Sequence, residues 1–250
     1  ETGLRTIVLW SLDGVKEVGE KADVLVVDTE SRGDAAQGAY RKVLEATRSL
    51  KEAGASIFYK KVDSTLRGNL GAELDGTLDA LSNPVALVAP AYPRSRRITI
   101  GGHQLIGGIP LEFTEVAHDP VFPVKGSNIP ELIRQQSHRK VGHIPLEVVV
   151  EGQSLLKSRI LLEHQSGNEI IVLDSAVDDH LRTITQAAYM LGKPVLLCGS
   201  AGLAEEIPRA FGLLQSRKGI LVVCGSVSAV TAVQVETLVR AMQPKLVTIR

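Results

Sequence analysis

Short runs of β-branched and aliphatic residues recur along the chain, and helical patterns separate several of them. Runs of this length and composition are typical of strands that are buried on both faces. They cover residues 6–10, 23–27, 56–62, 85–89, 169–173, 194–198 and 219–224. Because strands and helices alternate, the sequence predicts an α/β fold, with a largely parallel sheet flanked by helices.

Two segments between these runs have the periodicity of amphipathic helices. One spans residues 36–50, with Asp34 as a candidate N-cap and Gly54 as a stop, and the other spans residues 178–191 and ends at Gly192. Residues 98–136 contain two glycine pairs and four prolines, which break the pattern too often for regular helices. Loops and short strands over the sheet are expected there.

Charge and composition exclude several classes of protein. The 250 residues are 44% hydrophobic, and 28 basic residues balance 28 acidic ones, so no overall field attracts nucleic acid or anionic lipid. Polar residues interrupt the uncharged run 219–235, and the N-terminus has no secretory signal, so a cytoplasmic location is expected. Cys198 and Cys224 each end an apolar run and are expected to be buried thiols.

Polar loops of small residues follow the predicted strands, and ligands of open α/β sheets bind at this carboxyl edge. The loop most crowded with charge lies within KKVDSTLRGNLGAELD, residues 60–75. Lys61 provides a compact positive charge, and the Arg67 guanidinium can donate two parallel hydrogen bonds to one anionic group. Asp63 and Ser64 can form hydrogen bonds with hydroxyl groups. The loop therefore predicts a site for an anionic, hydroxylated ligand, with a capped helix start and solvated charges as the alternative.

Other motifs are less specific. The loops 199–202 and 225–228 each begin with Gly-Ser and suit either phosphate binding or close packing of a strand against a helix. The six histidines form no zinc-binding pattern, so no protein-built metal site is expected. A nicotinamide-dependent dehydrogenase would need a glycine fingerprint after the first strand, which is not visible.

Four motifs together resemble one family. KKVDSTLRGNLGAELD, APAYPRSRRITIGGHQLIGGIPLEFTEVAHDP, CGSAGLAEE and CGSVSAVTAVQ, in this order and spacing, resemble the four-carbon acid sugar kinases, which include D-threonate, D-erythronate and 3-oxo-tetronate kinases. The resemblance implies an acid-sugar-binding domain over residues 1–214 and the start of an ATP-binding α/β domain over residues 218–250. It also implies phosphoryl transfer from ATP, with Mg²⁺, to the terminal (O4) hydroxyl of the sugar.

The resemblance also implies the residues of the site. The acid sugar would be lined by Arg32, Lys61, Asp63, Ser64, Arg67 and Arg97, and ATP would meet Ser226 and Ser228. Members of the family begin with a strand and an Asp-Asp loop that would precede Glu1, and that loop is expected to hold the catalytic carboxylates. The expected partners are a small acid sugar, ATP and further copies of the chain in a homo-oligomer. The alternative is a non-catalytic acid-sugar-binding module that lacks the nucleotide half.

Overall fold

The computed structural model describes residues 3–82 and 84–214, together with Val233, Glu236, Thr237 and Arg240 of a helix. The chain divides into two compact units, Glu1–Gln215 and Ser216–Arg250. The predicted strand 219–224, with Cys224 in it, lies outside the described residues. The elements that follow all belong to the first unit.

Ten strands and eight α-helices are described in this unit. The strands are β1 Thr6–Leu9, β2 Val24–Val27, β3 Tyr59–Lys61, β4 Val85–Ala89, β5 Arg97–Ile100, β6 His103–Ile106, β7 Ile109–Pro110, β8 Val141–Ile144, β9 Ile170–Leu173 and β10 Val195–Gly199. The helices are α1 Val15–Gly19, α2 Ala36–Glu52, α3 Leu70–Ala80, α4 Ile129–Gln136, α5 Leu146–Val150, α6 Gln153–Gln165, α7 Asp178–Met190 and α8 Ala201–Ala210. Among the described residues, no helix combines the length and the apolar character needed to cross a membrane.

The main sheet has five strands in the order β3-β10-β4-β9-β8, and every neighbouring pair is parallel. A second sheet pairs β1 with β2, also in parallel. These pairings confirm the predicted α/β fold with a largely parallel sheet. Strand β8 was not predicted, because Gly142 and His143 interrupt its short apolar pattern.

Both faces of the main sheet are buried. Alternate residues of β4 point to opposite sides: Leu87 belongs to the apolar cluster under α5, α6, α7 and α8, whereas Val88 belongs to the cluster under α3 and α4. Each fully buried leucine or isoleucine in these clusters contributes about 1.5–3 kcal/mol. Cys198 of β10 is buried as predicted, and burial raises the pKa of its thiol to about 12.

The middle of the chain is more regular than its prolines and glycines indicate. Strands β5, β6 and β7 form an antiparallel sheet, which agrees with the short strands expected there. The expectation that residues 98–136 contain no regular helix is wrong, because α4 forms at their end. Pro130 lies in the first turn of α4, where no N–H is needed, and the Asn128 side chain accepts from the Glu131 N–H over 2.9 Å.

The start of α2 also differs from the prediction. Asp34 is not the N-cap: this position is Ala35, without a side-chain cap, while the Asp34 carboxylate pairs with Lys42 at 2.9 Å. Helix α2 packs closely on α3, where a Cβ atom added at Gly76 would lie 2.5 Å from the Tyr40 carbonyl oxygen. Glycine therefore permits this contact between the two helices.

Replacing Gly76 by alanine is expected to lower the free energy of unfolding by about 1–3 kcal/mol, because the backbone of α2 must move away from the new methyl group. The higher helix propensity of alanine offsets only about 1 kcal/mol of that cost. Urea unfolding measures the change. Gly126→Ala is the matched control, because nothing lies within 4 Å of a Cβ atom there; equal stabilities of the two variants would contradict this account of the contact.

Candidate functional site

The carboxyl ends of β2 and β3 flank a cleft of about 1220 Å³. Its polar end is lined by Ser31, Arg32, Lys61, Asp63 and Arg67, and its deeper part by apolar residues of β2, α2 and α8. Strands β2 and β3 belong to different sheets, and among the described residues no strand is hydrogen-bonded to both of them. The structure thus brings four of the predicted sugar-site residues to one end of a large cleft.

Asp63 lies at the centre of the charges in this cleft. Its Oδ2 accepts from Arg67 Nε at 2.6 Å and lies 3.7 Å from Arg32 Nη2, and its Oδ1 accepts from the Thr65 N–H at 3.0 Å. Burial acts to raise the pKa of Asp63, but the hydrogen bonds from Thr65 and Arg67 outweigh it and hold the pKa below its ordinary value. Asp63 is therefore a carboxylate that holds two guanidinium groups in place.

Asp119 and Phe122 complete the surroundings of the two arginines and were not predicted. Asp119 Oδ2 accepts from Arg67 Nη1 at 3.1 Å, while its Oδ1 accepts from the N–H groups of Val121 and Phe122. The Arg32 guanidinium lies 6.0 Å from the centre of the Phe122 ring. An Asp-Pro pair such as that at 119–120 is typical of a turn, but nothing in the sequence indicates that this turn meets the loop after β3.

Ser64 and Arg97 form a second pair beside Asp63. The Ser64 side chain is buried, and its Oγ accepts from Arg97 Nη1 at 2.8 Å. Arg97 starts β5, so this bond ties the antiparallel sheet to the loop after β3. All six predicted sugar-site residues consequently lie at or beside this edge, although Ser64 is already engaged within the protein.

The two neighbouring lysines of β3 have different surroundings. Lys60 pairs with Glu73 at 2.6 Å, and Glu73 also accepts from Ser31 Oγ at 2.7 Å. Glu73 lies in the first turn of α3 and is buried between these two partners. Lys61 Nζ donates to the Val62 carbonyl oxygen at 2.9 Å, and no carboxylate of the described residues lies within 4.0 Å of it. Burial lowers the pKa of Lys61.

The loop from Asp63 to Asn69 has an unusual backbone. Leu66 has a φ of +62° and Gly68 a φ of +103°, and the left-handed region is unfavourable for leucine. The Leu66 side chain is buried, and Asn69 Nδ2 donates to the carbonyl oxygens of Ser31 and Asp34 at 3.0 and 2.9 Å. The loops after β2 and β3 are thereby fixed to each other.

The first Gly-Ser loop serves packing. Ser200 Oγ donates to the Ala91 carbonyl oxygen at 2.8 Å and accepts from the Gly202 N–H, so it caps α8. A Cβ atom at Gly199 would lie 2.5 Å from the Ala89 carbonyl oxygen. The second loop, with Ser226 and Ser228, lies outside the described residues. Within residues 3–82 and 84–214, no cluster of three or more histidine, cysteine or acidic residues suits a metal ion.

Fold and site together define an α/β domain with a large cleft and several arginines and lysines at the carboxyl edge of its sheet. A family model described as the sugar-binding N-terminal domain matches residues 1–207. The chain belongs to that family, which is the sugar-binding half of the four-carbon acid sugar kinases. The resemblance seen in the four motifs is thereby confirmed.

Two curated relatives show how far the similarity extends. The chain is 38% identical to a D-erythronate kinase of Heliobacterium modesticaldum over 90% of its length and 52% of the relative's. It is also 38% identical to a D-threonate kinase of Salmonella typhimurium, over 94% of this chain and 55% of the relative. The chain thus spans about half the length of the curated relatives that it matches.

Solved structures of similar proteins share the fold. A domain of unknown function from Bordetella bronchiseptica, crystallised with bound citrate as a domain-swapped dimer, matches with a TM-score of 0.75 and 30% identity, over 96% of this chain and 60% of that one. A Haemophilus influenzae protein of the same domain family matches with a TM-score of 0.76 and 26% identity, over the same shares of the two chains.

Replacing Asp63 by asparagine is expected to lower the free energy of unfolding by about 1–2 kcal/mol at pH 7, because two arginines lose their shared carboxylate. Since the pKa of Asp63 is lowered on folding, this stabilisation is present above the unfolded pKa and is lost as pH falls through the folded one. Urea unfolding at neutral and strongly acidic pH measures the difference. Glu151→Gln, at an exposed carboxylate, is the control, and an Asp63→Asn deficit that persists undiminished in acid would contradict this role.

Proposed function

We propose that the full-length protein is an ATP-dependent kinase that phosphorylates the terminal (O4) hydroxyl of a four-carbon acid sugar such as D-threonate, D-erythronate or 3-oxo-tetronate. The observation that carries this proposal is the ammonium group of Lys61, which has no carboxylate of the described residues within 4.0 Å. It lies at the polar end of a cleft that also contains Arg32 and Arg67. A sugar carboxylate supplies the missing negative charge.

The charges of the site support an anionic ligand. Arg32, Arg67 and Arg97 lie around Asp63, Ser64 and Asp119, and Lys61 lines the same cleft, whose lining also includes the carboxylates of Asp28 and Glu30. Oriented guanidinium groups bind carboxylates through paired hydrogen bonds. The Bordetella bronchiseptica relative holds citrate, which is itself a hydroxylated carboxylic acid. This agrees with the same class of ligand here.

Phosphoryl transfer depends on positioning and on neutralising charge, so the cations of this edge suit both the sugar carboxylate and the transferring phosphoryl group. In the proposed division, residues 1–214 bind the sugar and residues 218–250 begin the ATP-binding domain. Ser226 and Ser228 would contact ATP, which binds with Mg²⁺. The sugar hydroxyl would be assisted by carboxylates of the Asp-Asp loop that the family places before Glu1. We also propose a cytoplasmic location and a homo-oligomer.

The cleft between β2 and β3 supports the proposal that a further strand belongs to this domain. Apolar side chains from α2, such as Val43 and Ala46, and from α8, such as Ile207, line its deeper part. A strand that the resemblance places before Glu1 would cover these side chains and carry its following loop to the polar end. The catalytic carboxylates would then lie beside Lys61.

Purified full-length protein, offered D-threonate, D-erythronate and 3-oxo-tetronates with Mg-ATP, is expected to release ADP with at least one of them. A coupled assay of ADP and mass measurement of the product follow the reaction. Four-carbon sugars without a carboxylate are the control substrates, because they lack the charge that the site selects. Binding of an acid sugar without ADP release would favour the non-catalytic module. If no acid sugar of the panel is bound or phosphorylated, both candidate functions are contradicted.

The affinity for the acid sugar is expected to fall as pH rises through the pKa of Lys61, because the neutral amine no longer attracts the carboxylate. Since desolvation lowers this pKa, the decline begins below the ordinary pKa range of a lysine side chain. Lys61→Met is expected to weaken binding about 10- to 100-fold at pH 7, the loss of one charge-assisted hydrogen bond. Calorimetry of sugar binding from pH 7 to 10 measures both effects.

Lys61→Arg is the matched variant for this experiment, because arginine keeps its charge throughout that range. Its affinity is expected to stay level where that of the wild type declines. A decline of equal steepness in Lys61→Arg would show that another group titrates, and a wild-type affinity in Lys61→Met would show that the lysine does not meet the sugar.

A further inference from the structure

One buried amide connects the antiparallel sheet to the loop after β3. Gln104 of β6 lies opposite Thr99 of β5, and both side chains are fully buried. Gln104 Nε2 donates to the Ser64 carbonyl oxygen at 2.8 Å, and its Oε1 accepts from Thr99 Oγ1 at 2.7 Å. Because a carbonyl oxygen only accepts hydrogen bonds, the amide has a single orientation that satisfies both partners.

The strands that carry Gln104 are themselves anchored to the main sheet. Thr99 exchanges two backbone hydrogen bonds, of 2.8 and 2.9 Å, with Ser175, just beyond the end of β9. The buried carboxylate of Asp174 accepts from the N–H groups of Gly101 and Gly102 in the turn between β5 and β6. The β5–β6 strand pair that carries Gln104 is therefore fixed to the carboxyl edge of the main sheet.

The loop that Gln104 holds needs such an external restraint. The left-handed φ of Leu66 is unfavourable and persists only where surrounding contacts over-determine it. Ser64 is restrained twice, because its carbonyl oxygen accepts from Gln104 and its hydroxyl from Arg97. Asp63, the carboxylate that orients both arginines, is the adjacent residue.

We propose that Gln104 is a positioning residue for this site: it fixes the Ser64 carbonyl oxygen and so holds Asp63 and Arg67 in the orientation that receives the ligand. Its full burial means that it acts through Ser64 rather than by touching the ligand. The effect on the loop is independent of the ligand's identity, whereas the effect on sugar affinity rests on the proposed function.

The test compares Gln104→Met with Thr99→Val in the full-length protein. Methionine fills a similar volume but leaves the Ser64 carbonyl oxygen unpaired. Thr99→Val removes the other hydrogen bond of the same amide and keeps the bond to Ser64, so it controls for general damage to the sheet. Native-state hydrogen exchange of the amides in residues 63–69 and calorimetric affinity for the acid sugar are measured for both.

Gln104→Met is expected to speed exchange in residues 63–69 at least about 5-fold and to weaken sugar binding about 10-fold, with Thr99→Val within about 2-fold of wild type in both. Equal exchange in the two variants would overturn the proposal and make Gln104 a packing residue. If the wild type binds no acid sugar, the proposed function fails while the exchange comparison still decides the role of Gln104. Gln104→Leu, which also removes the amide donor to Ser64, replaces Gln104→Met if the latter does not fold.

Discussion

Parallel pairing of β3, β10, β4, β9 and β8 is the constraint on which the rest of the structure depends. It requires helical crossovers on both faces, and these cover the strands with the two apolar clusters. It also gathers the carboxyl ends of the strands at one edge. Residues far apart in sequence, such as Arg67 and Asp119, meet there because the sheet fixes where each loop begins.

The charges at this edge are organised around Asp63, a carboxylate that two arginines share. Asp63 faces both Arg32 and Arg67, and Asp119 supports Arg67 from the other side. A carboxylate shared in this way fixes the direction of the guanidinium groups without neutralising all of them. The guanidinium groups are therefore held in one orientation without a ligand, which would reduce the side-chain entropy lost if the proposed ligand binds there.

The sequence predicted the parts of this structure that depend on local pattern. Continuous apolar runs located most of the buried strands. The cluster from Lys61 to Arg67 identified a loop that lies at the cleft, and its role in anion binding stays a prediction. Prediction from the sequence failed where the outcome depends on contacts across the fold. Helix α4 was not predicted because prolines, including Pro130, precede and begin it. Asp34 was predicted to be an N-cap, but its carboxylate pairs with Lys42. Neither Asp119 nor Gln104 lies in a sequence pattern that indicates its hydrogen-bond partner.

Lys60 and Lys61 show how a strand separates two identical side chains. Adjacent residues of a strand point to opposite faces, and Lys60 lies opposite Cys198 on the side of α3, where Glu73 reaches it. Lys61 faces the other way and is beyond the reach of that carboxylate. Partial desolvation lowers the pKa of Lys61, so an anion beside this ammonium group would stabilise its charged form. The alternation of one short strand therefore pairs Lys60 with Glu73 and leaves Lys61 without a carboxylate of the described residues within 4.0 Å.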